Sequence, residues 1–227
     1  MKIFLLRNKL LTKLFRIRYF ALNNLDKSLE TFIDFNNGYF VELGANDGVN
    51  QSNTLYFEHF RGWRGVLIEP YPPNFEALIR NRSAGNFFKC AACVGPKYPL
   101  KEVKLVYSNL MTSTLGIESD SQNALDHAKR GSNFRCGRTF IFKAPALSLT
   151  QILIEAGALS FIDLLSLDVE GNELEVLKSI DHSKFKFRYI CVETRSLHEL
   201  REYLLDQGYY YLKPLTHHDY LFEYCKS

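Results

Sequence analysis

Short apolar runs alternate along the chain with longer segments in which apolar residues recur every three to four positions. Apolar runs bounded by glycine or proline predict buried strands, whereas the longer spacing predicts amphipathic helices. The predicted strands are 39–43, 65–69, 87–94, 161–167 and 188–193, with a closing pair at 209–212 and 220–224. The predicted helices are 52–60, 73–82, 147–156, 172–180 and 197–206. This alternation predicts an α/β fold with a mostly parallel sheet and helices on both of its faces.

The alternation is less regular between residues 95 and 145. Here the pattern predicts strands at 103–107 and 139–143 and a short helix at 121–130. We interpret this stretch as an insertion in a domain that spans residues 38–227. Because it departs from the regular pattern, we expect it to contribute to the choice of substrate.

Residues 1–37 are predicted to form a helical extension that precedes this domain. On a helical wheel, residues 1–22 place an apolar stripe opposite a basic one. The apolar stripe is Ile3, Leu6, Leu10, Leu14 and Ile17, and the basic one is Lys2, Lys9, Lys13 and Arg16. No apolar run exceeds four residues, which disfavours a signal peptide and a membrane-spanning helix. The helix is expected either to lie on an anionic membrane surface or to dock on the domain or on a second subunit, and the pattern leaves these alternatives open.

Charge is distributed unevenly along the chain. The formal net charge is +3, but residues 1–25 hold six basic residues and no acid, which leaves 22 basic and 25 acidic residues in the remainder. A mildly acidic body argues against nucleic acid as the partner. Five cysteines, an odd number without a secretory signal, indicate a reducing compartment. We therefore expect a cytoplasmic protein, with membrane association only through the N-terminal helix.

Acidic residues and glycines follow the first two predicted strands. Glu42 precedes a turn between Gly44 and Gly48, and Glu69 ends the second strand. Ligands of open parallel sheets bind beyond the carboxyl ends of the strands. Glycines let the backbone turn sharply close to a ligand, and a carboxylate after the second strand suits the two hydroxyls of a ribose. The pattern therefore predicts a cofactor of nucleoside type.

The chemistry of the turn distinguishes between candidate cofactors. A dinucleotide site needs G-x-G-x-x-G before a helix that faces the pyrophosphate, but here three residues separate Gly44 from Gly48 and acids flank them. An acidic loop disfavours phosphate and favours the sulfonium and amino groups of S-adenosyl-L-methionine. An NAD(P)-dependent oxidoreductase is the alternative, because Tyr209 and Lys213 have the Tyr-x-x-x-Lys spacing of some reductases. That spacing requires a helix, whereas the flanking glycine and proline predict a strand.

Four polar residues after the later strands are candidates for catalysis. Asp168 and Glu170 follow the fourth predicted strand, and Glu193 ends the fifth, with His198 just beyond. Burying such groups for structure alone is costly. We expect one of them, Asp168 first, to act as the general base that takes the proton of an attacking hydroxyl. A divalent metal such as magnesium on Asp168 and Glu193 is a less favoured variant.

Several motifs resemble those of one enzyme family. They are VELGANDG (41–48), VLIEP (66–70), ALSLTQIL (146–153) and FIDLLSLDVEGNELEVLKSID (161–181). The most specific element is D-V-E-G-x-E-x-x-V-L, which begins at Asp168. Together these motifs resemble the FkbM-type S-adenosylmethionine-dependent methyltransferases, from about residue 38 to residue 195.

The resemblance implies a Rossmann-like class I methyltransferase fold with seven strands, the last of them antiparallel. It implies O-methylation of a hydroxyl on a sugar, a glycan or a small natural product. It also implies that Asp168 and Glu170 lie beneath the transferred methyl group and that Glu69 binds the ribose. The expected cofactor-binding residues are Glu42, Gly44, Ala45, Asn46, Asp47, Gly48, Asn53, Glu69, Pro70, Ala91 and Asp168. A catalytically inactive methyltransferase-like binding domain is the non-enzyme alternative, and the intact loop acids argue against it.

Overall fold

The computed structural model describes residues 18–107, 113–114 and 139–225. Its strands are β1 (Tyr39–Leu43), β2 (Arg64–Ile68), β3 (Phe87–Lys89), β4 (Ala92–Cys93), β5 (Glu102–Tyr107), β6 (Ser113–Thr114), β7 (Phe140–Leu147), β8 (Phe161–Leu167), β9 (Lys186–Glu193), β10 (Tyr209–Pro214) and β11 (Asp219–Tyr224). Its α-helices are α1 (Leu25–Glu30), α2 (Leu55–Arg61), α3 (Pro72–Asn81), α4 (Leu149–Glu155), α5 (Glu173–Lys178) and α6 (Leu197–Asp206). A short 3₁₀ segment, Leu22–Asn24, precedes α1.

Within the described residues, seven strands form one sheet in the order β10-β11-β9-β8-β1-β2-β3. β1 pairs in parallel with β2 and β8, β2 with β3, and β8 with β9. β11 is antiparallel to both of its neighbours. This order confirms the predicted α/β fold of class I methyltransferases with an antiparallel last strand. The strand order reverses between β1 and β8, which is where open α/β sheets bind their ligands.

Alternate residues of the central strands fill one apolar layer on each face of the sheet. On one face, Val41 of β1 belongs to a buried cluster with Ile152 of α4 and Val176 of α5. On the other face, Phe40 belongs to a cluster with Phe57 of α2. Successive side chains of a strand point to opposite faces, so strands covered on both faces must be apolar throughout. This explains why the central strands are nearly continuous apolar runs, and the packing fixes where their carboxyl ends lie.

The single strand predicted at 87–94 is wrong, because the structure has two strands there. β3 forms the edge of the large sheet, and β4 pairs in parallel with β7 in a second sheet of order β4-β7-β5-β6. Cys90 and Ala91 connect the two sheets. Ala91 and the residues of β4 are buried, so the apolar pattern continues across the connection and does not reveal it.

The boundaries around β7 also differ from the prediction. β7 extends to Leu147, and α4 begins only after Ser148, whose hydroxyl accepts a hydrogen bond from the backbone N–H of Gln151 in a capping box. The predicted helix at 121–130 lies outside the described residues. Tyr209 and Lys213 both lie on β10, which confirms that the Tyr-x-x-x-Lys spacing belongs to a strand.

Residues 18–37 pack against the body of the molecule. Leu25, Leu29 and Ile33 are buried in the same cluster as Phe40 of β1, and Ala21 forms an isolated parallel bridge with Gln51. Most of the predicted amphipathic helix lies in residues 1–17, outside the described residues, so its membrane or dimer contact stays a prediction. The division of the chain after residue 37 also stays a prediction. None of the helices in the described part of the chain is both long and apolar enough to cross a bilayer.

Candidate functional site

A cleft opens at the carboxyl ends of β1, β2 and β8, next to the point where the strand order reverses. The space between protein atoms there, counted out into the open mouth, is about 840 Å³. Its lining residues come from these strand ends and the loops that follow them, from the start of α3, from β4 and the residue before it, and from β5. They are Leu43, Gly44, Asn46, Asn50, Gln51, Ile68, Glu69, Pro70, Asn74, Ala91, Ala92, Cys93, Leu105, Asp168, Val169, Glu170 and Asn172.

Gly44 forms the turn that joins the three strand ends. Its N–H and that of Ala45 both donate to the carbonyl oxygen of Ile68, at 3.1 Å each. Its φ is +79°, and a Cβ at this position would lie 2.1 Å from the carbonyl oxygen of Asp168. Only glycine fits this backbone conformation and this close approach. The turn thus places Ile68, at the end of β2, and Asp168, directly after β8, against the same residue.

Glu69 lies recessed in the cleft wall, only 5% exposed. Its Oε2 accepts a hydrogen bond from the N–H of Asn46 and its Oε1 accepts one from the N–H of Tyr71, both at 2.9 Å. Burial raises the pKa of Glu69 to about 7, and the Asp47 carboxylate acts in the same direction. Each carboxylate oxygen offers about two acceptor positions, so both oxygens retain capacity to accept from a ligand hydroxyl.

Asp168 follows β8, and its N–H donates to the carbonyl oxygen of Leu43 at the end of β1 (3.3 Å). Burial raises its pKa well above the ordinary range, and nearby carboxylates raise it further, that of Glu193 most. We call the mutually repelling carboxyl groups here the acid cluster. They are Asp168, Glu170, Glu173, Glu193 and Asp219.

Glu193 is half-buried and lies opposite Asp219 in the β9–β11 ladder. Burial raises its pKa to about 7, with Glu170 and Asp219 acting in the same direction and Arg195 against them. Carboxyl groups with pKa values raised toward neutrality are found at functional sites more often than elsewhere. The raised pKa values therefore make the acid cluster a candidate functional site.

The loop after β8 takes a sharp turn that explains its sequence. Glu170 has a φ of 55° and Gly171 a φ of 110°, which are left-handed conformations that favour glycine at the second position. The N–H of Gly171 donates to Oε1 of Glu173 at 2.8 Å. The Asn172 side chain donates to the carbonyl oxygen of Cys93 at 3.1 Å, which ties the loop to β4. The D-V-E-G-N-E sequence thus builds one wall of the cleft.

Glu42 is placed differently from the expectation. It is only 3% exposed and does not appear among the described residues that line the cleft. Its carboxylate accepts hydrogen bonds from Thr54 Oγ1 (2.6 Å), from the N–H of Asn53 (2.9 Å) and from Arg82 Nη1 (3.2 Å). In this arrangement protein groups occupy the carboxylate that the sequence assigned to the cofactor.

Other predicted cofactor-binding residues support the loop without lining the cleft. Asp47 accepts hydrogen bonds from the N–H groups of Val49 and Asn50 at 2.9 and 2.8 Å, and Asn53 donates to Ser166 Oγ at 3.0 Å. The structure brings Gly44, Asn46, Glu69, Pro70, Ala91, Asp168 and Glu170 together in the cleft wall. The predicted residues outside that described wall are Glu42, Ala45, Asp47, Gly48, Asn53, Glu193 and His198.

His198 is on the exposed side of α6, with its side chain 85% exposed and 3.7 Å from Glu202. This position is unlike that of the buried acids, because solvent surrounds the imidazole. Among the described residues, no group of three or more His, Cys, Asp or Glu side chains is arranged to hold a metal ion. The roles predicted for His198 and for a metal on Asp168 and Glu193 stay predictions.

Several lining residues escaped the sequence prediction. Asn50 and Gln51 continue the loop that begins at Gly44, and Asn172 is part of the loop after β8. Because predicted site residues lie beside them in the sequence, these three residues could have been predicted as well. The sequence around Leu105 gives no such indication, because this residue lies on β5 in the irregular part of the chain. Beyond Leu105 the same strand face continues to Tyr107, whose ring centroid is 4.2 Å from that of Tyr71.

The comparisons with known structures are loose. The precorrin-6y C5,15-methyltransferase of Geobacter metallireducens GS-15 is 12% identical, with a TM-score of 0.44 over 88% of this chain and 87% of that chain. The N-terminal domain of human METTL16 in complex with SAH is 16% identical, with a TM-score of 0.42 over 87% of this chain and 65% of that chain. The chain thus covers slightly less than two thirds of the METTL16 chain.

The sequence comparisons are more specific. Methyltransferase sdnD of Sordaria araneosa is 27% identical over 208 residues, which covers 79% of each chain. The family model of the methyltransferase FkbM domain matches residues 42–211, from β1 to β10. This match covers the cleft and most of the large sheet, and it confirms the resemblance seen in the motifs. The chain therefore belongs to the FkbM methyltransferase domain family.

Proposed function

We propose that this methyltransferase moves a methyl group from S-adenosyl-L-methionine to a hydroxyl group of a sugar or of another small natural product. The observation that supports this most is the position of Glu69 and Asp168 in the wall of one cleft, joined through the Gly44 turn. The carboxylate of Glu69 suits the ribose of a nucleoside, and that of Asp168 suits the hydroxyl group that receives the methyl group.

The residues of the cleft fit this methyl donor. Glu69 retains acceptor capacity for the ribose hydroxyls, and Gly44 leaves the backbone open where a larger residue would collide with Asp168. Pro70 and Ala91 provide apolar lining next to Glu69. The acid cluster favours a cation and disfavours the pyrophosphate of a dinucleotide, because like charges repel in a partly buried site. When bound, S-adenosyl-L-methionine supplies a methyl group on a positively charged sulfur atom.

Asp168 is our candidate for the general base. An alcohol ionises poorly at neutral pH, so its proton must leave as the new bond forms. Asp168 accepts that proton at a carboxylate oxygen, and its raised pKa makes it a stronger base than an exposed aspartate. General base catalysis contributes about 10²–10⁴-fold in rate. Glu170 and Glu193 keep the pKa of Asp168 high, and both stay secondary candidates for the same role.

The acceptor class is supported by the aromatic residues that adjoin the cleft. Tyr107 and Phe140 are stacked with ring centroids 5.0 Å apart, and Phe142 lies 5.2 Å from Tyr71. Phe140 is 39% exposed, so part of an apolar surface is open to solvent near Leu105. Such a surface suits the apolar face of a ring, while the acid cluster suits its hydroxyl group.

The first test is calorimetric titration with S-adenosylhomocysteine and, separately, with NADH. We expect binding of the former and none of the latter. A methyl-transfer assay with labelled donor then compares sugars and aglycones as acceptors, with and without a chelator. Binding of NADH without binding of S-adenosylhomocysteine would contradict the proposal. Methylation of nitrogen or carbon acceptors alone would contradict the O-methyl specificity.

A further inference from the structure

A buried arginine lies between two carboxylates next to the cleft. Arg82, directly after α3, has a side chain that is 0% exposed. Its Nη1 lies 3.2 Å from Oε2 of Glu42, and its Nε lies 2.9 Å from Oε2 of Glu58. Burial acts to raise the pKa of Glu58, but Arg82 and hydrogen bonds from Ser83 and Asn86 lower it overall. The guanidinium is therefore a structural cation whose counter-ions are both buried.

The same guanidinium contacts both ends of the loop 48–54, which follows the Gly44 turn. Nη1 donates to the carbonyl oxygen of Gly48 (3.3 Å) and to Ser52 Oγ (3.2 Å), and Nη2 donates to Thr54 Oγ1 (2.9 Å). Glu42 completes the arrangement, because it accepts from Thr54 Oγ1 and from the N–H of Asn53. We call these residues the Arg82 network. They are Arg82, Glu42, Glu58, Gly48, Ser52 and Thr54.

The backbone of the loop lies directly on the end of α3. Gly48 has a φ of +78°, and a Cβ there would lie 2.7 Å from Cγ of Arg82 and 2.6 Å from Cδ1 of Leu78. Between the two fixed ends of the loop, Asn50 and Gln51 line the cleft. The Arg82 network therefore holds both ends of the segment that carries these two side chains.

We propose that Arg82 is a positioning residue of the methyl-donor site, and that Glu42 acts through Arg82 as its counter-ion without contacting the donor. This inference rests on the proposed function. The planar guanidinium offers five N–H donors in a fixed geometry, so its acceptors are held in one arrangement. Ordering a loop on binding costs conformational entropy, so a loosened loop weakens donor binding.

The test compares Arg82→Lys with Arg80→Lys on the same helix. Lysine keeps the buried charge of Arg82 but cannot reach all of its acceptors. Arg80 is a matched control, because its side chain is 63% exposed and its distance to Glu76 is 3.9 Å. We expect Arg82→Lys to raise the Kd for S-adenosylhomocysteine and the KM for the donor about tenfold, with kcat at saturating donor within about threefold. Hydrogen exchange in residues 48–54 should accelerate in Arg82→Lys and not in Arg80→Lys.

A second pair of variants covers the case in which Arg82→Lys does not fold. Thr54→Val removes the hydroxyl between Arg82 and Glu42 and keeps both charges, while Thr54→Ser retains a hydroxyl. Thr54→Val should raise the Kd for S-adenosylhomocysteine by about threefold to tenfold, and Thr54→Ser should restore most of the affinity. Equal Kd values for Thr54→Val and the wild type would overturn the positioning role.

A double-mutant cycle tests the role of Glu42. If Glu42 acts through Arg82, the effects of Glu42→Gln and Arg82→Lys on the Kd are not additive. Additive effects would overturn the claim that Glu42 does not contact the donor. A wild-type Kd in folded Arg82→Lys would overturn the role of Arg82 alone. By contrast, a wild-type chain that binds no S-adenosylhomocysteine would overturn the proposed function itself.

Discussion

Glu42 and Asp168 stand at the carboxyl ends of the neighbouring strands β1 and β8, yet their surroundings differ. Glu42 belongs to the Arg82 network, where a buried cation and several hydroxyl and N–H donors stabilise its negative charge. Asp168 belongs to the acid cluster, where burial and other carboxylates disfavour its charge. The comparison teaches that the partners of a carboxylate at a strand end, and not its position alone, decide whether its negative charge is stabilised or disfavoured.

The largest expected effect is on catalysis by the acid cluster. Asp168→Asn keeps the shape of the side chain and removes its basicity, so kcat should fall by about 10²–10⁴-fold. The Kd for S-adenosylhomocysteine should change far less, because the carboxylate of Glu69 is untouched. Steady-state kinetics and calorimetry measure the two quantities. Asp206→Asn, on the exposed end of α6, is the control. An Asp168→Asn enzyme with normal kcat would remove Asp168 from the mechanism.

The next-largest effect is on stability, and it should distinguish the Arg82 network from the acid cluster. Arg82→Met leaves the carboxylates of Glu42 and Glu58 buried without their cation, so the free energy of unfolding should fall by about 3–5 kcal/mol. Glu193→Gln removes one of several repelling charges and should leave that free energy unchanged or higher at neutral pH. Urea denaturation at pH 7 measures both variants. If Glu193→Gln lost as much stability as Arg82→Met, the contrast between the regions would be wrong.

The fold was predictable from the sequence because its information is local. Strands such as 39–43 and 161–167 must be apolar on both faces, and the helices between them have a regular amphipathic period. The acids and glycines at the strand ends were also visible, since a parallel sheet places all carboxyl ends at one edge. The family motifs indicated the same fold and the same residues at the strand ends.

The features that the sequence did not reveal depend on partners that are distant in the sequence. Glu42 and Glu69 look alike in the sequence, and only the position of Arg82, 40 residues from Glu42, distinguishes them. Likewise, the break between β3 and β4 lies inside one apolar run, because each half pairs with a different sheet. No local pattern contains either fact.

A smaller effect is expected at Glu69. Glu69→Gln keeps the hydrogen bond from the Tyr71 or the Asn46 N–H but loses the carboxylate that would accept from two ribose hydroxyls. The Kd for S-adenosylhomocysteine should rise about tenfold, as for the loss of one charge-assisted hydrogen bond. The affinity for 5′-methylthioadenosine, which keeps the ribose and lacks the amino acid, should fall by the same factor. Glu76→Gln on the exposed face of α3 is the control, and an unchanged Kd in Glu69→Gln would assign Glu69 to structure.

The smallest expected effect is on the pH dependence of the reaction. Turnover at subsaturating donor should rise with pH as the base loses its proton, and the charge on Glu193 delays that loss because it raises the pKa of Asp168. Glu193→Gln should therefore move the acidic limb of the pH–rate profile to lower pH, by about one unit. Because the two carboxyl groups titrate together, the shift belongs to the pair.

The stability of the wild type gives this shift an independent check. The folded state raises the pKa of Glu193 from 4.5 to about 7, so it binds a proton more tightly than the unfolded chain does. The stability contributed by that proton is fully present below pH 4.5 and is lost as the pH rises through about 7. Glu193→Gln should lose this pH dependence, whereas Glu199→Gln, on the exposed side of α6, should keep it. A limb that stayed at the wild-type pH in Glu193→Gln would mean that Asp168 is not the group that titrates there, and Asp168 would then lose its assignment as the base.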